Sequence, residues 1–224
     1  LPGGAGGART FVLIGIAAML VGFLLWSPLG WVLALLTAWV AYFFRDPDRV
    51  TPMREGLVVS AADGRVSLIE KVVPPTELGF ADNRERLRVS VFLSVFDVHI
   101  NRAPVAGRIV RSLYIPGAFL NANLDKASEE NERRALVIQM PNGEEIAVVQ
   151  IAGLVARRIV TFSHEGDTLG VGQRFGLIRF GSRVDIYLPP DKHALVAVGQ
   201  RAVGGETVIA DFKSTETERE ARRG

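Results

Sequence analysis

The 224-residue sequence contains no cysteine. This absence excludes disulfide bonds, thiolate catalysis and cysteine-ligated metal sites. Histidine is almost as scarce, and the three that occur show no His-x-x-x-His spacing, which leaves a zinc site with little support; they are His99, His164 and His193. The 26 basic and 24 acidic residues nearly balance. Such a balance argues neither for nor against nucleic-acid binding, and we predict no nucleic-acid partner.

Charge is missing altogether from residues 11–44, which form an apolar run broken near its centre by the turn-forming residues 27–30. Each half has roughly sixteen residues, fewer than the roughly 20 that a spanning helix needs. The run predicts an α-helical hairpin that either crosses the membrane as two short helices or dips into it and returns. A buried hairpin of a soluble protein is disfavoured, because the run is apolar on all faces.

Basic residues flank this run, with Arg9 before it and Arg45 and Arg49 after it. Both membrane arrangements leave the two ends of the hairpin on one side, and the basic residues predict that this side is cytoplasmic. We therefore expect a protein of the cell membrane whose remaining domain lies on the cytoplasmic side. A cleaved signal peptide is disfavoured, because the run is longer than the 7–15 residues of its apolar region.

Beyond residue 46 the sequence changes to short β-type runs separated by glycine and proline, which is typical of a β-sandwich or barrel. We predict a mainly β protein with domains 1–45 (helical hairpin), 46–212 (β-rich) and 213–224 (charged, flexible tail). The predicted strands are 57–60, 65–73, 87–93, 107–115, 135–140, 145–152, 157–162, 175–180, 182–189, 194–198 and 206–210.

Three stretches carry polar residues that strands do not require. Asp63 lies in the turn SAADGR, where it is either an ordinary turn former or a functional carboxylate. Asp97 and His99 share one face if their strand continues. A histidine that is oriented by an aspartate is a common general base. A single histidine with satisfied hydrogen bonds and no catalytic role is the more frequent case. Arg157 and Arg158 are either a solvated strand end or ligands for a carboxylate or phosphate.

A fourth stretch, IRFGSRVDIYLP (178–189), reads as a strand interrupted by Gly181-Ser182. With a period of two, Ser182 falls in the same row as Val184 and Ile186, whereas Arg183 falls in the opposite row. A small hydroxyl in an apolar row, directly after a glycine, calls for an explanation. The serine-hydrolase pattern G-x-S-x-G does not match here, so a packing serine and a reactive serine both remain open.

Seven motifs occur in order along the chain: FFRDPDR, SAADGRV, FLSVFDVHINRAPVAG, PGAFLNANLDKASEENER, QIAGLVARRIV, GQRFGLIRFGSRVDIYLP and VGQRAVGGETVIA. Together they resemble the short prokaryotic form of phosphatidylserine decarboxylase over roughly residues 43 to 211.

The resemblance implies a proenzyme that cleaves itself. In this family the Ser182 hydroxyl attacks the carbonyl of Gly181, and β-elimination followed by hydrolysis leaves a pyruvoyl group at residue 182. The chain thus becomes fragments 1–181 and 182–224, which stay together as a heterodimer. The pyruvoyl group then forms a Schiff base with phosphatidylserine and acts as the electron sink for its decarboxylation to phosphatidylethanolamine. The implied partners are therefore this lipid and the membrane surface.

The resemblance also assigns roles where the motifs match. Asp63 matches the aspartate of a small-Asp-Gly turn that is linked to cleavage. His99 matches the first histidine of the segment D-Y-H-x-x-H-x-P in longer members, whereas Arg102 stands where those members have a second histidine. We therefore expect His99, supported by Asp63 or Asp97, to serve both cleavage and later proton return.

Three other functions remain as alternatives. A membrane-tethered carrier or scaffold sandwich would present a lysine at a hairpin tip, but the corresponding turn here holds Gly204-Gly205. A soluble pyruvoyl enzyme for a free amino acid would not need the apolar hairpin. A pyruvoyl decarboxylase for a different serine-containing lipid fits the same motifs.

Overall fold

The computed structural model describes residues 4–82, 84–118, 130–153, 159–179, 182–216 and 219. The chain divides into two compact units, Leu1–Pro47 and Asp48–Gly224. The first unit is helical and the second consists mainly of β-strands.

The helical unit is a hairpin of two helices, α1 (Gly4–Leu25) and α2 (Ser27–Phe43). Trp26 breaks the helix with an extended backbone, and proline follows at the start of α2, where its missing N–H costs nothing. The helices approach closely at Gly30, where a Cβ atom would lie only 2.3 Å from the Phe23 ring. Many of the apolar side chains of the hairpin are exposed. No described helix is both long enough and apolar enough to span a bilayer.

The second unit contains thirteen described strands. They are β1 (Leu57–Val59), β2 (Gly64–Val72), β3 (Arg86–Leu93), β4 (Ile100–Arg102), β5 (Gly107–Ile115), β6 (Arg133–Gln139), β7 (Glu145–Ala152), β8 (Ile159–Thr161), β9 (Thr168–Leu169), β10 (Arg174–Ile178), β11 (Ser182–Tyr187), β12 (Arg201–Ala202) and β13 (Val208–Asp211).

Eight strands form one curled antiparallel sheet in the order β12-β2-β3-β11-β7-β6-β5-β9. A three-stranded sheet has the order β4-β10-β8, and β1 pairs with β13. Within the large sheet β11 is central, because it pairs with β3 on one side and β7 on the other. The expectation of a mainly β, sandwich- or barrel-like protein with a helical hairpin is confirmed.

Both faces of the large sheet are buried, since successive side chains of a strand alternate between its faces. The main core lies on one face and includes Val91, Val184 and Ile186. A smaller core on the other face includes Val149 and Tyr187, and Leu78 from a 3₁₀ helix (Thr76–Leu78) covers it.

One strand prediction was wrong. Residues 194–198 form no strand, although Ala194 and Val196 are buried. Their apolar character reflects the packing of a loop against the core and not the pairing of a β-strand. The predicted strands 175–180 and 182–189 correspond to two strands in different sheets: β10 ends at Ile178 in the three-stranded sheet, and β11 begins at Ser182 in the large one. Ser182 thus opens a strand of the large sheet, and the preceding strand β10 belongs to a different sheet.

Candidate active site

One end of the large sheet collects those of the predicted functional residues that the structure describes. Ser182 opens β11 and stands opposite Leu93, the last residue of β3, and Ala152, the last residue of β7. Arg65, near the start of β2, pairs with Phe92 in the same antiparallel ladder. The segments before β2 and after β3 therefore meet beside Ser182, and they carry Asp63, Asp97 and His99. We call this end of the sheet the reactive end.

Ser182 is fully buried, and it lies on the face that carries the main apolar core. Its hydroxyl forms no hydrogen bond with the residues that the structure describes. An unsatisfied buried hydroxyl costs on the order of 1–3 kcal/mol, so such a group calls for a functional explanation. Gly181, Arg157 and Arg158, which the sequence also singled out, lie outside the described residues.

His99 is buried between β3 and β4, with its Nδ1 atom 2.9 Å from the backbone carbonyl oxygen of Asp97. A carbonyl oxygen only accepts hydrogen bonds, so Nδ1 carries a proton and Nε2 is the basic nitrogen of the neutral ring. The His99 carbonyl accepts a hydrogen bond from the amide of Ile178 at 3.3 Å, four residues before Ser182. This bond ties the histidine to the chain that enters the reactive end.

The strand does not continue through Asp97 and His99, because β3 ends at Leu93, as predicted, and β4 begins only at Ile100. Asp97 instead closes a turn. Its Oδ2 accepts hydrogen bonds from the Ser94 amide at 2.9 Å and the Ser94 hydroxyl at 2.7 Å. Asp97 therefore contacts His99 through its backbone carbonyl, while its carboxylate holds the turn.

Arg201 of β12 completes this arrangement, because its Nη2 atom donates to Asp97 Oδ1 at 2.9 Å. The two residues are separated by 104 positions in the sequence. A guanidinium at this distance keeps the Asp97 carboxylate paired with an opposite charge.

Asp63 is held by two groups at the same end of the sheet. Arg49 Nη2 donates to Asp63 Oδ1 at 2.8 Å, and the amide of Gly204 donates to Oδ2 at 3.2 Å. Burial raises the pKa of Asp63, the Arg49 guanidinium and the Gly204 amide oppose that rise, and the charge of Asp97 adds to it. The two carboxylates of the reactive end are thus electrostatically coupled.

Arg102 stands at the position of the second family histidine and forms hydrogen bonds with two backbone carbonyl groups. Its Nη1 atom donates to the carbonyl of Gly172 at 3.1 Å, and its backbone amide donates to the carbonyl of Ala61 at 2.9 Å. A guanidinium remains protonated at physiological pH and does not act as a base. Of the two family positions, only His99 therefore carries a group that can accept a proton.

Charged residues are also buried on the opposite face of the sheet, directly behind Ser182. Arg183 Nη2 donates to Asp185 Oδ2 at 3.1 Å, and Nε lies 2.9 Å from Oδ1. Burial and the neighbouring Asp185 carboxylate raise the pKa of Tyr187 to about 12, and Arg88 opposes the rise. Arg183, the residue that follows Ser182, is thus fixed by a buried ion pair.

Sequence reasoning missed four residues of the reactive end: Arg49, Ser94, Arg201 and Gly204. All four lie within the seven motifs, so the motifs themselves were the available signal. What the motifs did not reveal is which residue each of them contacts.

Comparison with known proteins agrees with these motifs. The family model for phosphatidylserine decarboxylase matches residues 36–210. A protein of Ruegeria pomeroyi named phosphatidylserine decarboxylase proenzyme is 61% identical over 205 residues, which cover 92% of this chain and 93% of that protein. A protein of the same name from Nitrobacter winogradskyi is 59% identical over 199 residues, covering 89% of this chain and 80% of that protein.

The fold and the motifs define a β-rich enzyme with a buried serine at a sheet end. The chain belongs to the phosphatidylserine decarboxylase family. The resemblance inferred from the seven motifs is confirmed, and so is the expectation that the chain is an enzyme of the carboxy-lyase class.

Proposed function

We propose that this protein converts phosphatidylserine to phosphatidylethanolamine after it has cleaved itself between Gly181 and Ser182. Family membership supports the substrate and the reaction. The observation that carries the cleavage is the buried Ser182 hydroxyl, which forms no hydrogen bond with the described residues and lies at the sheet end where the segments with Asp63, Asp97 and His99 begin or end.

Cleavage follows from the chemistry of the serine. Ser182 Oγ loses its proton and attacks the carbonyl carbon of Gly181, the C–N bond breaks, and an ester replaces the amide. Loss of the Ser182 Cα proton then expels Gly181 as a carboxylate and leaves a carbon–carbon double bond at residue 182. Water replaces the nitrogen of residue 182, which leaves as ammonia, and a pyruvoyl group remains.

His99 is the group that we assign to proton transfer. Its Nδ1 proton is directed at the carbonyl oxygen of Asp97, which leaves Nε2 to accept a proton. Asp97 supports the ring through this contact. Asp63 contributes electrostatically, because its carboxylate interacts with that of Asp97. After cleavage His99 is in the same position to return a proton to the α-carbon of the substrate.

The residues around Ser182 fit a pyruvoyl group, because the position is fully buried and its two neighbouring strands hold it in place after the chain is cut. The pyruvoyl carbonyl supplies an electrophile for the substrate amine and an electron sink for decarboxylation. Fragments 1–181 and 182–224 stay joined, since β11 of the small fragment pairs on both sides with strands of the large one. We assign Arg157 and Arg158 to the carboxylate or phosphate of the substrate.

The hairpin is assigned to the membrane. Its exposed leucine and tryptophan side chains, among them Leu24, Trp31 and Leu35, form a surface that water solvates poorly. Arg9 and Arg45 flank the apolar run and favour the cytoplasmic face. A lipid substrate is best reached by an enzyme held at the bilayer.

Intact mass spectrometry of the denatured protein tests the cleavage. We expect two fragments divided between Gly181 and Ser182, the smaller with a pyruvoyl terminus, and one uncut chain for Ser182→Ala. Ser90→Ala is the matched control, because Ser90 is another buried serine of the same sheet whose hydroxyl forms no hydrogen bond in the described structure. Cleavage in Ser182→Ala, or an uncut wild-type chain, would contradict the proposal.

Two further variants test the assigned roles. His99→Ala is expected to slow both cleavage and turnover, whereas His164→Ala at an exposed histidine leaves both unchanged. Normal cleavage and normal turnover in His99→Ala would exclude it as the base. Decarboxylation of phosphatidylserine at unchanged rates in Arg157→Ala and Arg158→Ala would remove them from the substrate site.

A further inference from the structure

Two apolar side chains project into solvent at the reactive end. Phe96, in the turn between Ser94 and Asp97, is 62% exposed, and Val198, in the loop before β12, is 59% exposed. Phe96 directly precedes Asp97, and Val198 lies three residues before Arg201. Asp97 and Arg201 are the two residues that pair at the reactive end.

The two loops lie side by side. The amide of Gly199 donates to the carbonyl of Val66 at 2.7 Å, which fixes the Val198 loop against the start of β2. That part of β2 pairs with the end of β3, from which the Phe96 turn continues. The ion pair between Arg201 and Asp97 then joins the two loops directly.

Exposed cations accompany these apolar side chains. Arg65 is exposed, and its Nη1 atom donates to the carbonyl of Gly199 at 3.1 Å, beside Val198. Arg201 is exposed as well, on the neighbouring strand. Long basic side chains of this kind keep their charge at a polar boundary while apolar neighbours enter the layer beneath it. The combination fits the interface of an anionic bilayer better than it fits water.

We propose that Phe96, Val198, Arg65 and Arg201 form an interfacial rim, which places the two apolar side chains among the headgroups of an anionic bilayer. The rim brings the reactive end to the depth of a serine headgroup, so the acyl chains of the substrate stay in the membrane. This inference deepens the proposed function and rests on its lipid substrate. The rim is a contact separate from the hairpin and made by the β-rich unit itself.

The absence of cysteine allows a direct test. Phe96→Cys and Val198→Cys in the full-length chain are each labelled with a polarity-sensitive thiol dye and added to vesicles that contain phosphatidylserine. Val73→Cys is the matched control, because Val73 is 60% exposed but follows β2 at the opposite end of the sheet. We expect blue-shifted emission and quenching by lipid-borne quenchers for the labels at 96 and 198, and neither change at 73.

The charge of the rim is tested with the same labels. Arg65→Gln is expected to lower the equilibrium constant of rim contact roughly fivefold on phosphatidylserine vesicles and to leave it unchanged on phosphatidylcholine vesicles. If the labels at 96 and 198 behave like the label at 73, the rim does not exist. Membrane contact does not require cleavage, so the Ser182→Ala background separates a failed rim from a failed decarboxylase.

Discussion

Replacement of Arg49 by methionine is the most informative perturbation of the reactive end. Arg49 and Asp63 form an ion pair whose side chains are only 11% and 7% exposed. Methionine retains much of the side-chain length but removes the charge and the hydrogen bond to the carboxylate. Asp63 then remains buried and keeps its hydrogen bond from the Gly204 amide.

The expected loss of stability is large for a single substitution. Removing one partner of a buried ion pair costs roughly 3–5 kcal/mol, because an uncompensated charge stays behind. For a chain of this size that corresponds to a fall of roughly 6–20 °C in Tm. The matched control is Arg54→Met, since the ion pair of Arg54 with Asp211 is 53% and 12% exposed and a surface pair contributes about 0–1 kcal/mol.

The loss should also depend on pH in a defined direction. Burial raises the pKa of Asp63 above its usual value, and Arg49 opposes that rise. A raised carboxyl pKa contributes stability at low pH, and this contribution is lost as pH rises through the folded-state pKa. Without Arg49 the pKa rises further, so the variant is most destabilised at neutral pH and approaches wild type as Asp63 becomes protonated.

Thermal and urea unfolding between pH 5 and 8 measure this effect, with all variants built on Ser182→Ala so that the chain stays uncut. Adding Asp63→Asn to Arg49→Met should recover part of the stability by removing the unpaired charge. Equal losses for Arg49→Met and Arg54→Met at pH 7, or a loss that grows towards pH 5, would refute the reasoning.

Three further predictions concern the supporting structure. Gly64→Ala should destabilise the sheet by several kcal/mol in urea unfolding, because its Cβ atom would lie 2.0 Å from the carbonyl oxygen of Phe92; a loss below about 1 kcal/mol, the ordinary cost of a point mutation, would contradict the close approach. Asn131→Ala should cost about 1–3 kcal/mol in the same assay, because it leaves the buried carbonyl of Ala152 without the amide donor that lies 2.7 Å away. Tyr187→Phe should remove a phenol that ionises near pH 12, which a spectrophotometric titration of wild type and variant detects as the loss of a late step.

Much of the fold could be predicted from local patterns. The strands at 107–115 and 145–152 have the predicted bounds, because alternating or continuously apolar runs bounded by turn residues are a local signal. The same reasoning predicted a strand at 194–198, where the structure has a loop, since a buried loop and a short buried strand look alike in sequence. Short strands such as β9 and β12 carry too few residues for any period to appear.

The site divides in a similar way. Ser182, Asp63 and His99 could be proposed from the sequence, because each stands in a recognisable motif. Arg201 was not found, because its partner Asp97 lies 104 residues away and no local pattern joins them. The orientation of His99 by a backbone carbonyl was equally invisible, since any residue supplies the same carbonyl group.

The sequence by itself determined the mainly β class, the apolar hairpin, the family and the Gly-Ser bond at which cleavage is proposed, because these depend on residue types and their local order. The tertiary structure decided that β10 and β11 belong to different sheets, that Arg49 and Gly204 hold Asp63, and that the distant loops of Asp97 and Arg201 meet. Gly204 reaches Asp63 across 141 positions. Contacts over such separations arise from antiparallel registers, which form only when the whole sheet is assembled.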